Sequence, residues 1–209
     1  MTHRWPRICA LLFGSFFPSI NVWLQKALFL HFTQEKLVRS KCSLLTPFSY
    51  AISNEPLVHW FLSSGASPNA SAPQNARTPV SSACATAPLH IVQLFYVHGA
   101  SHLDALHSAA ESPAEGRLEV LKFLLDDGAD VNAVKWAHNE EAYRTWALFG
   151  LGTALHYAAK GGYIDRVNLL LSRGAKVNAL DSNARTPVEV AREHGQNDVV
   201  TILTRHPST

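Results

Sequence analysis

Charge is scarce in this chain and sulfur scarcer. Only 16% of its 209 residues are Asp, Glu, Lys or Arg, and it holds one methionine and three cysteines. Cys9, Cys42 and Cys84 are odd in number and lack the paired spacing of a zinc site or a disulfide framework. They read as small apolar residues buried in a reducing compartment, the cytoplasm or the nucleus. No Gly-rich phosphate loop occurs, and no Ser/His/Asp or Cys/His arrangement stands in a recognisable context, which leaves a nucleotide enzyme or a hydrolase without sequence support. No metal or cofactor is expected. His138, Glu140 and Glu141 are close in sequence, but adjacent acids do not share a helical face and so do not converge on an ion.

Long apolar runs are missing too. The stretch from Ile8 to Phe17 has ten residues, where a bilayer span needs ~20. Arg4 and Arg7 ahead of it give the outline of a short leader, yet no good small-x-small cleavage site follows. Residues 1–45 carry six Lys/Arg against Glu35 alone, a balance of +5, and the remaining 164 residues balance at −3. The basic charge therefore belongs to the N-terminal segment. Residues 1–43 read as a helical cap over the first structural unit, with a cleaved or membrane-associated leader and a wrongly assigned start as the alternatives. The acidic balance of the rest argues against nucleic acid as a partner.

What is abundant is apolar residues, 47% of the chain, and they recur with a ruler. Thr153-Ala-Leu-His and Thr186-Pro-Val-Glu begin 33 residues apart, with earlier starts at Thr46 and Thr78. A second landmark follows: Ser64-Gly-Ala, His98-Gly-Ala, Asp127-Gly-Ala and Arg173-Gly-Ala. The step is 21 residues both from Thr78 to Gly99 and from Thr153 to Gly174. A fixed period of this size marks a solenoid, in which each unit buries its apolar face only against its neighbours. Within one unit, Thr153 caps a short helix lined by Ala154, Ala158 and Ala159. Gly162 turns the chain, and a second helix presents Ile164, Val167, Leu170 and Leu171 as one stripe until Gly174 stops it, in the left-handed region.

Thr153, Leu155, His156, Ala158, Ala159, Gly162, Val167, Leu170, Leu171, Gly174, Ala175, Val177, Asn178 and Ala179 together resemble the ankyrin repeat, and Gly116 to Ala133 matches its second half. The resemblance covers residues 44–205, as units at 44–74, 75–102, 103–133, 151–181 and 182–205. It implies an all-α solenoid of stacked antiparallel helix pairs joined by turns or hairpins, preceded by the helical N-terminal segment. It also implies that His156, and His107 in the same place, hold a neighbouring turn against the first helix and have no catalytic part. Thr153, His156, Gly162, Gly174 and Thr186 are then structural landmarks.

The departures from the pattern lie in the connectors. Gly99 to Asp104 is five residues, which leaves no room for a hairpin, whereas Gly128 to Thr153 is 25 against a standard of 12. The excess, residues 134–150, sets Trp136, Tyr143, Trp146 and Phe149 among His138, Glu140, Glu141 and Arg144. Aromatics and Arg concentrate at binding hot spots, so this insert is either a partner-binding finger or a segment whose aromatics pack back beside the missing hairpin. Ankyrin-like arrays recognise proteins through their concave face and turn tips. That implies a non-catalytic interaction module, expected to be a monomer, with a protein partner. The candidate contact residues are Asn75, Arg77, Trp136, Glu140, Tyr143, Arg144, Trp146, Lys160, Asn183 and Arg185. The alternative is a membrane-associated protein of the same fold, anchored by its N-terminus.

Overall fold

The computed structural model describes residues 52–70 and 77–206. The expected N-terminal cap, the start of the first unit, and Asn75 lie outside these residues. The described residues form helices and no strand: α1 (Glu55–Ser63), α2 (Pro79–Thr86), α3 (Leu89–Val97), α4 (Ala105–Glu111), α5 (Arg117–Asp126), α6 (Glu140–Trp146), a 3-10 turn (Ala147–Phe149), α7 (Ala154–Gly161), α8 (Ile164–Ser172), α9 (Pro187–Glu193) and α10 (Asn197–Arg205). None of the described helices is long and apolar enough to cross a membrane.

The helices form two ranks. In the inner rank α2, α4, α7 and α9 stack in order, and in the outer rank α1, α3, α5, α8 and α10 do the same. Each inner helix also packs on the outer helix that follows it. The sequence explains the asymmetry between the ranks. Inner helices meet through Ala83, Ala105, Ala109, Ala110, Ala154, Ala158, Ala159 and Ala191, all fully buried. Such small side chains let neighbouring backbones approach closely. Outer helices fill the wider space with Val92, Phe95, Val120, Leu121, Leu124, Val167, Leu170 and Leu203. Ile164 does not join that stripe: it is 38% exposed in the first turn of α8, and Arg166 takes the inward position.

Ends of helices receive specific partners. Asn54 caps α1, its Oδ1 accepting from Leu57 N–H at 3.2 Å. Gly162 ends α7 at φ +71, a conformation that calls for glycine, with the Gln196 side-chain end packed close by. Between units, Asn69 donates to Gly99 O and accepts from Ser101 N–H, both at 2.8 Å. Asn132 repeats the device across the long connector, to Gly174 O at 3.2 Å and Lys176 N–H at 2.9 Å. The short link after Gly99 is thereby held although it has no hairpin of its own.

Two arginines bind the C-terminal ends of inner helices one unit back. Arg117, 2% exposed, donates to Cys84 O at 2.7 Å and to Ala87 O, past the end of α2. Arg166, 8% exposed, donates to Ala109 O at 3.2 Å, Ala110 O at 3.1 Å and Ser112 O at 2.6 Å, at the end of α4. Its guanidinium stacks 3.9 Å from the Tyr163 ring centroid. A helix end carries partial negative charge and unpaired carbonyls, and a guanidinium with several donors answers both. Arg117 follows Gly116 by one residue and Arg166 follows Gly162 by four. The difference is close to one helical turn, so both side chains leave the same face. Arg166→Met keeps the buried carbon chain and removes the donors. It is expected to lower the unfolding free energy by about 2–3 kcal/mol, measured by urea denaturation; an unchanged midpoint would mean that water satisfies those carbonyls.

Candidate protein-binding surface

The starts of α2, α7 and α9 carry the same kind of contact, built from different residues. At α2, Thr78 N–H donates to Ser81 Oγ at 3.0 Å, and Ser81 N–H donates to Thr78 Oγ1 at 3.1 Å. At α9, Thr186 N–H donates to a Glu189 carboxylate oxygen at 2.7 Å, which holds that carboxyl below its usual range. At α7 the partner is an imidazole: Thr153 N–H donates to His156 Nδ1 at 3.1 Å, with the Thr153 hydroxyl 3.0 Å from the same nitrogen. Because Nδ1 accepts, the ring proton sits on Nε2, which donates to Arg185 O at 3.1 Å. One ring thus joins its own helix to the turn that opens the next unit. Gly152 is buried against this ring, and an added Cβ would lie 2.6 Å from it. His107 makes the long-range half of the contact, Nε2–H to Ala133 O at 2.8 Å. His156 and His107 each bond a backbone carbonyl of a later turn.

The short half fails in the third unit. The position before α4 is Asp104, in the left-handed region at φ +55, and its N–H does not reach the ring. Instead Asp104 Oδ1 accepts from Trp136 N–H at 2.8 Å, so the start of the insert takes up the cap residue. His107 Nδ1 and Asp104 Oδ2 are left buried without a hydrogen bond among the described residues. His138 Nε2 stands 3.5 Å from Asp104 Oδ2.

The insert both packs back and projects. Its beginning is fixed by Asp104 and by Lys135, whose ammonium pairs with Glu111 at 2.9 Å and lies 4.4 Å from the Tyr157 ring centroid. Asn139 caps α6 by accepting from Ala142 N–H at 3.0 Å, and Ala142 is fully buried. The end of the insert is tied to the turn of the fifth unit: Leu151 N–H donates to Ser182 Oγ at 2.7 Å, the Ser182 hydroxyl donates to Ala147 O, and Asn183 Nδ2 donates to Leu148 O at 3.3 Å. Between these anchors the aromatic rings run in a chain, Trp136 to Trp146 at 5.9 Å and Trp146 to Phe149 at 5.4 Å. Trp146 is 38% exposed, Phe149 71% and Leu148 86%.

The candidate contact residues fall into distinct places. Trp136 and Trp146 line a cleft of about 300 Å³ with Arg77, Ser81, Asp104, Ser108, Glu111 and Lys135. On the other side of the insert, Phe149 walls a second cleft of about 210 Å³ that includes Lys160 and Arg185. Glu140 and Arg144 pair with each other at 2.6 Å on the exposed side of α6, and Tyr143 is half-buried beside them. Arg185 is occupied, at 2.8 Å from Asp181 and 2.7 Å from Glu193. Asn183 braces the insert. The sequence does not reveal the bracing role of Asn183, because its acceptor Leu148 O lies 35 positions away. Among the described residues no group of His, Cys, Asp and Glu could hold a metal ion. Burial pushes the Cys84 thiol up to about 12, far from a reactive thiolate.

A family model for ankyrin repeats in three copies matches residues 47–135 and 132–208. The chain belongs to the ankyrin-repeat family. Among curated relatives, XBAT34 of Arabidopsis thaliana, which carries the name of an E3 ubiquitin-protein ligase, is 40% identical over 42% of this chain and 20% of its own length. Rabankyrin-5 of Mus musculus is 35% identical over 49% of this chain and 8% of its own. The cyclin-dependent kinase 4 inhibitor B of Rattus norvegicus is 28% identical over 45% of this chain and 88% of its own. The chain thus spans a fifth or less of the length of the first two, and the shared part is ankyrin repeat. Ankyrin repeats in general mediate contacts between proteins and are not themselves catalytic.

The buried histidines make the ankyrin stack sensitive to acid. Burial holds His107 down at about 4, well under its ordinary 6.5, and lowers His156 too. Between those values the unfolded chain takes up protons that the folded one does not. Stability is therefore complete above pH 6.5 and lost as pH falls toward 4, by a few kcal/mol for a site of this kind. Asp104, raised by burial, works in the opposite sense. His107→Gln should flatten the fall between pH 6.5 and 4 in denaturation curves; an unaltered slope would place the acid sensitivity elsewhere.

Proposed function

We propose that this protein is a non-catalytic adaptor of the cytoplasm or nucleus that binds another protein through the concave face of its inner helices and the 134–150 insert. The observation that carries this reading is the insert itself. It is braced at both ends by hydrogen bonds to the stack, yet it exposes Trp146, Leu148 and Phe149. Large apolar side chains held rigidly in solvent lose little entropy on association and bury much surface, which is the profile of a hot spot. Fixed elements on each side, Trp136 and Trp146 at one cleft and Phe149 at the other, divide the inner face into two recesses able to seat side chains of one partner segment. The −3 balance outside residues 1–45 offers no basic stripe for nucleic acid. The isolated chain is a monomer in this reading, because its apolar surface is reserved for a different protein.

Replacing residues 136–149 by a short turn, in a tagged full chain used for pull-down and mass spectrometry, is expected to lose a specific partner while the thermal melt stays in place. Trp146→Ala with Phe149→Ala should lower the affinity for that partner by at least about tenfold. Retention of the same partners by both variants would put recognition elsewhere on the molecule.

A further inference from the structure

The cleft on the Trp136 side has a chemical character that the rest of the inner face lacks. The cap contacts of α2, α7 and α9 are closed internally by Ser81, His156 and Glu189. Only at α4, among the described inner helices, are two buried polar atoms left over: Asp104 Oδ2 and His107 Nδ1. Both are acceptors. His107 Nε2 donates to Ala133 O, so its Nδ1 carries a lone pair, and a carboxylate oxygen has no proton to give. A buried acceptor without a donor is costly, and two beside one another ask for a group rich in N–H.

The surroundings suit a cation. Asp104 lines the cleft of about 300 Å³ together with Trp136 and Trp146, and its buried Oδ2 lies 3.5 Å from His138 Nε2. The Lys135 ammonium already rests 5.3 Å from the Trp136 ring centroid, so these faces accept positive charge. Lys135 is held by Glu111 and makes no hydrogen bond to Asp104. Arg77, exposed, lines the same cleft. His138, one third exposed, stands over Asp104 Oδ2 as the side chain that an entrant must displace.

We infer that this cleft is an anchoring pocket for a basic side chain, a guanidinium above all, of the bound partner. The guanidinium donates to Asp104 Oδ2 and stacks on Trp146. This assignment rests on the adaptor reading and supplies the chemistry of one of its contacts. It separates partner segments that carry an arginine at the anchoring position from otherwise similar ones that do not.

The test uses the full chain and three acetylated, amidated tripeptides, Gly-Arg-Gly, Gly-Lys-Gly and Gly-citrulline-Gly, followed through the indole N–H resonances of the tryptophans. The arginine peptide should shift the Trp136 and Trp146 signals saturably, with a Kd on the order of millimolar, and the uncharged citrulline peptide should not. His138→Ala should tighten binding by removing the side chain over the carboxylate. Asp104→Asn keeps the acceptor for Trp136 N–H and removes the charge, so it should abolish the shifts. Trp146→Ala, a change at a partly exposed side chain, should also weaken them. Equal shifts from the citrulline peptide, no shifts at all, or unaltered binding by Asp104→Asn would each overturn the proposal. If the cleft fails this test while replacement of the insert still loses a partner, only the pocket assignment falls and the adaptor reading stands.

Discussion

Close approach between successive inner helices is the constraint on which the stack depends. Ala109, Ala110, Ala154, Ala158 and Ala159 are fully buried there, small side chains that let successive helices come close. A single helix pair has no second surface to cover its Leu and Val stripe, so each unit owes its order to its neighbours. Backbone groups at the helix ends then come to lie inside the assembly and need partners. Arg117 and Arg166 serve the C-terminal carbonyls, and the Ser81, His156 and Glu189 contacts serve the N-terminal donors. Close packing and end satisfaction are thus one arrangement, because the first creates the demand that the second meets.

Against that regular background the third unit is the exception, and its irregularities are connected. The link from Gly99 to Asp104 is too short for a hairpin, the cap residue is an acid at φ +55, and the following connector is long. Trp136 N–H bonds Asp104 Oδ1, so the long connector occupies what the short one leaves open. The same bond draws Asp104 away from His107 and leaves the two acceptors that mark the cleft. Variation in the connectors has therefore produced a site without disturbing the helices that carry it, in keeping with the general division between rigid scaffold and variable loops.

Much of this was legible in the sequence, and the limits are physical. The 21-residue step and the Ala, Leu and Gly positions report local periodicity, so the helices at 105–111, 117–126, 154–161 and 164–172 emerge where the pattern puts them. The roles of His156 and His107 follow from the repeat. Bonds between distant loops leave no such trace. Ser182 and Asn183 look like ordinary turn residues until the insert is seen to rest on them. Ile164 fits the helical stripe by spacing alone, yet Arg166 lies inside because helix-end carbonyls outrank one more methyl group there. The aromatics of the insert left two readings open; Trp136 is held back at the stack while Leu148 and Phe149 project.

The central claim is that a continuous stack carries the insert as a local addition. Native-state hydrogen exchange followed residue by residue tests it most directly. The account predicts that the amides of α4 and α7, on either side of the insert, are protected alike and exchange through one shared opening, while those of α6 exchange orders of magnitude faster. Separate openings for α4 and α7, or protection of α6 equal to theirs, would contradict it, for the insert would then be a divider or a part of the core.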